Sequence, residues 1–148
     1  MHIRDVKEKD RKTIFAMAED FYSPDTGATL RGMNRENMSR TFSLCLKENP
    51  YARMLIMEEG EQAEGFCLLS FTWSNEVGGL TVLLEELYVR PEARGKGCGR
   101  QLLSWLEEEY PEARRFRLEA TCQNRGAIAL YEKQGYEVLD YIQMVKDR

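Results

Sequence analysis

The sequence has little of what a metal site needs. Its only histidine is His2, and no two of its four cysteines (Cys45, Cys67, Cys98 and Cys122) form a Cys-x-x-Cys pair. The usual zinc constellations are therefore excluded. No stretch approaches the roughly 18 consecutive apolar residues of a membrane-spanning helix, and the leading MHIRDVKEKD has no apolar core of a secretion signal. Positive charge is not in excess: 21 Lys plus Arg stand against 25 Asp plus Glu, a formal net charge of −4. That argues against a broad nucleic-acid-binding face. Repeats, low-complexity tracts and linker-like stretches are also missing. The isolated cysteines read as reduced thiols of a cytoplasmic protein with no metal and no nucleic-acid or membrane partner.

What is present is a balanced globular composition. The 148 residues are 43% hydrophobic and 31% charged, enough for one domain over 1–148 with a buried core. Residues 2–6 read as a strand, followed by an amphipathic helix with Ile14, Phe15, Ala18, Phe21 and Tyr22 at helical spacing. Residues 23–33 hold a proline and two glycines and read as a loop. Asn34 caps a second helix expected to end near Asn49-Pro50. Strands follow at 53–57, 66–73 and 80–89, separated by polar turns that suggest antiparallel hairpins. The third is apolar on both alternation faces, as a central strand covered on both sides should be. Then come a glycine-rich loop, a helix ended by Pro111, a strand at 115–121, a helix at 124–134 closed by Gly135, and a last strand at 136–145. The fold class is α/β, with a mixed sheet in the order β-α-α-β-β-β-α-β-α-β and helices on both faces.

The loop RPEARGKGCGRQLL carries the clearest chemistry. Gly95, Gly97 and Gly99 alternate, which lets bare backbone N–H groups approach a ligand. The following helix adds unpaired first-turn donors and a dipole that favours an anion. Arg94, Lys96 and Arg100 supply cations. A handful of charge-assisted hydrogen bonds at roughly 1.5–3 kcal/mol each would hold a pyrophosphate. The nucleotide-binding Gly-Lys-Ser/Thr pattern is absent, and the dinucleotide pattern G-x-G-x-x-G fails because the third glycine falls at 99 and not at 100. A nucleotide switch is thereby disfavoured. Residues alone leave open an anion site or a turn whose glycines only satisfy positive φ.

Arg94-Gly95-Lys96-Gly97-Cys98-Gly99 resembles the [QR]-x-x-G-x-[GA] motif of the GNAT superfamily, the acyl-CoA-dependent N-acetyltransferases. The preceding LEELYVRPEARGKG is similar to that family's central strand, and NRGAIALYEKQGY, beginning at Asn124, resembles its second signature. The resemblance implies a sheet splayed beside the central strand and acetyl-CoA as co-substrate. It implies that the amides of Arg94, Gly95, Lys96, Gly97, Cys98, Gly99 and Arg100 bind the coenzyme A pyrophosphate. Main-chain groups of Leu87 and Val89 would meet the pantetheine arm, as would Asn124, which is equally a helix N-cap. Tyr131 matches the family's general acid, which protonates the departing thiolate; the other reading is a core tyrosine. In some members the position of Glu85 holds the general base that deprotonates the amine; the other reading is a salt-bridged structural carboxylate.

Alternation allows only one of Glu85 and Glu86 to face the acceptor, and Glu85 shares a face with Leu87 and Val89. No histidine neighbours Cys98 or Cys122, so direct attack by the amine is favoured over an acyl-cysteine. Segment 21–33 and the SNEVGG turn are expected to build the acceptor side, with Phe21, Tyr22, Asp25, Trp73 and Glu76 as an aromatic and acidic pocket; the other reading of Phe21 and Tyr22 is helix core. The expected activity is acetyl transfer to the primary amine of a small molecule. A peptide or protein amine, and a non-catalytic acyl-CoA-binding module, are the alternatives. Many members pair through their C-terminal strands, which leaves monomer and homodimer both open.

Overall fold

A computed structural model describes residues 1–26 and 28–148; Gly27, one of the two glycines of the expected loop, lies outside them. The described elements are His2–Asp5 (β1), Arg11–Phe21 (α1), Arg35–Cys45 (α2), Ala52–Glu59 (β2), Gln62–Ser74 (β3), Gly79–Val89 (β4), Cys98–Glu109 (α3), Arg115–Leu118 (β5) and Arg125–Lys133 (α4). The sheet runs β1-β2-β3-β4-β5. Its first three pairings are antiparallel, and β4 with β5 is parallel. Among the described residues no helix is long and apolar enough to cross a membrane.

Period-two alternation divides the core between the two faces. Met54 and Ile56 of β2 and Phe66 of β3 pack with Ile14, Met17 and Phe21 of α1 and Met38 and Phe42 of α2. Leu55, Met57, Cys67 and Leu69 point the other way, onto Leu102, Leu103 and Leu106 of α3 and Tyr131 of α4. β1 is locked to this frame by Arg4, which donates to both Asp10 and Glu58.

Several boundaries differ from the sequence reading: β3 begins at Gln62 and not at 66, and β5 ends at Leu118 and not at 121. α2 ends at Cys45 and not near Asn49-Pro50, because the Asn49 amide takes the carbonyls of Leu44 and Lys47 that a longer helix would use. The strand expected at 136–145 is absent. Its apolar residues come in adjacent pairs (Val138-Leu139, Tyr141-Ile142, Met144-Val145), so no single face can be buried. Among the described residues, the one backbone hydrogen bond within 137–148 runs from Tyr141 N–H to the Leu139 carbonyl. Side chains hold the tail instead: Tyr141 donates to Glu76 and Gln143 to Glu119, each at 2.6 Å.

The sheet is open where β4 meets β5. These strands pair only from Thr81 beside Arg115 to Leu84 beside Leu118. Residues 85–89 of β4 therefore have no strand neighbour on that side, and a cleft begins there.

Candidate active site

The cleft has a volume of about 670 Å³ and runs from the glycine loop to the end of α1. Leu87 and Val89 form its floor, the first turn of α3 one end, and Asn124, Ala127, Leu130 and Tyr131 of α4 a wall. Gly95 (φ +75°) and Gly97 (φ +86°) adopt left-handed conformations that turn the chain sharply into α3. No side chain caps that helix. Among the described residues, no backbone hydrogen bond engages the N–H groups of Gly95, Lys96, Gly97, Cys98, Gly99 and Arg100. Six consecutive donors without acceptors at the mouth of a cleft fit an anionic ligand.

The cationic side chains are distributed unevenly. Arg94 and Arg100 border the cleft, and Lys133 at the end of α4 joins them. Lys96 is exposed and does not line it. The Arg94 guanidinium folds back, donating to the Val89 carbonyl at 2.9 Å, so that carbonyl is partnered within the chain. Cys98 turns inward, its thiol 3.6 Å from the Ala93 carbonyl, and only its N–H serves the loop. Cys122 is exposed. No cluster of three or more His, Cys, Asp or Glu residues suited to a metal occurs among the described residues.

Asn124 caps α4, its side-chain oxygen accepting from Ala127 N–H. Seven residues on, Tyr131 lies on the same side of the helix and is 9% exposed. Burial alone pushes its phenol above the ordinary value, so its proton is retained throughout the neutral range. Tyr131 also borders a second hollow, of about 510 Å³, between β5 and the carboxyl-terminal tail.

The two carboxylates of β4 do not alternate as expected. Leu69 pairs with Leu84 and Leu68 with Glu86, so Glu85 has no partner on β3 and forms a β-bulge. The extra residue resets the pleat. Leu80, Val82 and Leu84 before it, and Leu87 and Val89 after it, all pack on the α3/α4 side. Glu85 therefore does not share the Leu87 face by simple alternation. It is exposed and accepts a 2.7 Å hydrogen bond from Ser70. Glu86 joins Tyr88 on the α1/α2 face, where it accepts from the Tyr22 hydroxyl. Its other oxygen, Oε2, is buried without a partner. Burial pushes the Glu86 carboxyl up, the Tyr22 bond opposes this, and the charge of Glu85 adds to the rise. Alongside, Tyr88 donates to Asp20 at 2.5 Å.

The expected acceptor pocket is only partly assembled. Tyr22 sits at the end of α1 beside cleft-lining Phe21, Thr26 and Ala28. Asp25 is exposed in the turn that follows. Trp73 and Glu76 lie elsewhere. Trp73 is 72% exposed and pairs with Leu80, on the face that Phe71 shares with Tyr110 of the α3 side. Glu76 is committed to Arg115 and Tyr141. Strand alternation carried Trp73 away from Tyr22, and an ion pair took Glu76. Phe21, read from the sequence as pocket or helix core, is both buried and cleft-lining; Thr26, Ala28 and Lys133 were not singled out. For Lys133 a signal existed, its helical spacing from Ala127 and Leu130.

Residues 14–136 match the model of the Acetyltransferase (GNAT) family. The "Uncharacterized N-acetyltransferase YhfO" of Bacillus subtilis (strain 168) is 32% identical over 142 residues, covering 93% of this chain and 90% of that protein. A thialysine N-epsilon-acetyltransferase of Sus scrofa is 31% identical over 98 residues, 60% of this chain and 57% of that one. A crystal structure of a predicted acetyltransferase with acetyl-CoA, from Clostridium acetobutylicum, superposes with a TM-score of 0.76 at 21% identity, covering 98% of this chain and 95% of that chain.

Proposed function

The chain belongs to the acetyltransferase (GNAT) family, and on that premise we propose that it moves the acetyl group of acetyl-CoA to a primary amine of a small molecule, as one catalytic domain. The observation that carries this reading is the row of six unengaged N–H donors at the mouth of the cleft. The solved relative that holds acetyl-CoA supports the choice of ligand. The relative named for thialysine, a small amine, supports the acceptor class.

Acetyl-CoA supplies an acetyl group activated as a thioester. The loop amides of residues 95–100 bind its pyrophosphate; the Arg94 N–H, expected to join them, is taken by the Pro91 carbonyl. Leu87, Val89 and Asn124 border the path of the pantetheine arm, in the gap that β5 leaves beside β4. Tyr131 holds a proton at its hydroxyl for the departing sulfur. The transfer from a phenol of pKa about 10 to a thiol near 8.5 is uphill by roughly 2 kcal/mol, and burial of Tyr131 increases that gap. A general acid so placed raises the rate without being indispensable. The amine attacks directly while both substrates are bound, because Cys98 is turned away and Cys122 does not line the cleft.

The test is release of coenzyme A thiol from acetyl-CoA across polyamines, amino acids, aminoglycosides and peptides. At least one small amine should accelerate release, and turnover should fall in Tyr131→Phe. Tight acetyl-CoA binding with no amine-dependent release would contradict catalysis and leave a binding module.

A further inference from the structure

The hollow of about 510 Å³ between β5, α4 and the carboxyl-terminal tail takes no part in the chemistry described so far. Among the described residues, Tyr131 is the one that lines both this hollow and the cleft. Its buried ring is therefore the partition between the two spaces. The hollow lies where the sheet opens, since Leu118 lines it and closes the β4–β5 pairing opposite Leu84. Apolar walls come from Phe116 and Leu118 of β5, Ile128 of α4, and Tyr136 and Leu139 beyond α4. The Tyr136 ring, 5.9 Å from that of Tyr131, continues the wall. Both cations of the lining are engaged, Arg115 by Glu76 and Arg117 by Glu119, while Glu132 and Glu137 are exposed. Neither arginine is free to receive an anionic group. A hollow of this size and lining suits an apolar guest.

We propose that the hollow behind Tyr131 receives the acyl chain of the co-substrate, so that the protein also transfers straight aliphatic acyl groups longer than acetyl. The inference rests on the acetyltransferase reading above. On that reading Tyr131 serves the thioester sulfur, and the acyl carbon is the next atom along. An acetyl group ends one atom further, whereas a longer chain needs space beyond the partition. The reaction balances as acetyl transfer does. The nitrogen of the free amine bonds to the acyl carbon and the carbon–sulfur bond breaks. The thiolate takes a proton from Tyr131, which is restored through solvent by the proton that nitrogen loses. Acyl groups ending in a carboxylate are disfavoured, because Glu132 and Glu137 repel them and the arginines are taken.

Calorimetry of the full chain with acetyl-, butyryl-, hexanoyl- and succinyl-CoA reads the hollow without turnover. Affinity should rise about threefold per added methylene from acetyl to hexanoyl, short of the fourfold of complete burial because the hollow opens to water. Succinyl-CoA should gain nothing over acetyl-CoA. Ile128→Trp, and separately Leu139→Trp, should abolish the hexanoyl gain and leave acetyl-CoA affinity unchanged. Leu139 belongs to no helix or strand, so its replacement does not put folding at stake. With an amine that accepts acetyl, hexanoyl-CoA should also release thiol, with kcat/KM about tenfold lower in either variant. Equal affinity for acetyl- and hexanoyl-CoA, a succinyl gain matching hexanoyl's, or a hexanoyl gain that survives both tryptophans overturns the acyl pocket. So does hexanoyl-CoA that binds but is not consumed. Each of these leaves the acetyltransferase reading intact. Failure of every acyl-CoA to bind overturns that reading, and the acyl pocket falls with it.

Discussion

Tyr131 is buried and Glu86 half-buried, and burial raises the proton affinity of both. The phenol is pushed further above 10 and stays protonated. Burial also pushes the Glu86 carboxyl up, with the Tyr22 hydrogen bond opposing the rise. For Tyr131→Phe we expect kcat to fall about 100-fold, with the acetyl-CoA dissociation constant nearly unchanged, measured by thiol release and calorimetry. A raised folded value also fixes the sign of the pH effect. Tyr131 remains an acid below its elevated pKa, so kcat should show no alkaline loss below about pH 10. An alkaline limb near 8 that disappears in Tyr131→Phe would contradict the assignment.

At the scale of elements, the loop before α3 and the network at β1 make separable predictions. Gly97 has φ +86°, and a Cβ there would meet only Gln101 Nε2 at 3.9 Å. Alanine at this position is therefore strained by backbone and not by collision, at about 1–2 kcal/mol. Gly97→Ala should lower the unfolding free energy by about that amount. It should also weaken acetyl-CoA binding about tenfold by re-aiming the donors, which denaturant unfolding and calorimetry would measure.

At β1, Asp10 is buried, takes two hydrogen bonds from Arg4 and one from the Lys7 N–H, and has its carboxyl held below the usual range, Arg4 being the largest cause. A depressed folded value means its stabilisation is complete above about pH 4 and is lost as pH falls through the folded value. Asp10→Asn should destabilise by about 2 kcal/mol at neutral pH and flatten the loss of Tm as pH falls below about 4. An acid-unfolding curve as steep as wild type would count against that role.

For the whole molecule, local patterns carried most of the reading. Strand alternation, the Asn34 cap and the glycine loop each have causes within a few residues, and the loop and both signatures led to the family. The bulge at Glu85 was not legible, because it is defined by where β3 pairs with β4 and not by any residue of β4 alone. The misplacements of Glu85, Trp73 and Glu76 all concern side-chain direction. The carboxyl-terminal residues were misread because strand-forming composition was present without a usable face. The Tyr22–Glu86 contact joins distant segments, and nothing local announces it. The proposed site thus lies where the sheet departs from regularity, by its bulge and by the short pairing of β4 with β5.

The central claim is that this opening, with its row of free amides, is an acyl-CoA site. The most direct measurement is calorimetric titration of acetyl-CoA into the full chain at two salt concentrations. The account predicts a single site with a dissociation constant in the micromolar range, about 8 kcal/mol, weakening as added salt screens the pyrophosphate. A titration without binding at either salt concentration would contradict it.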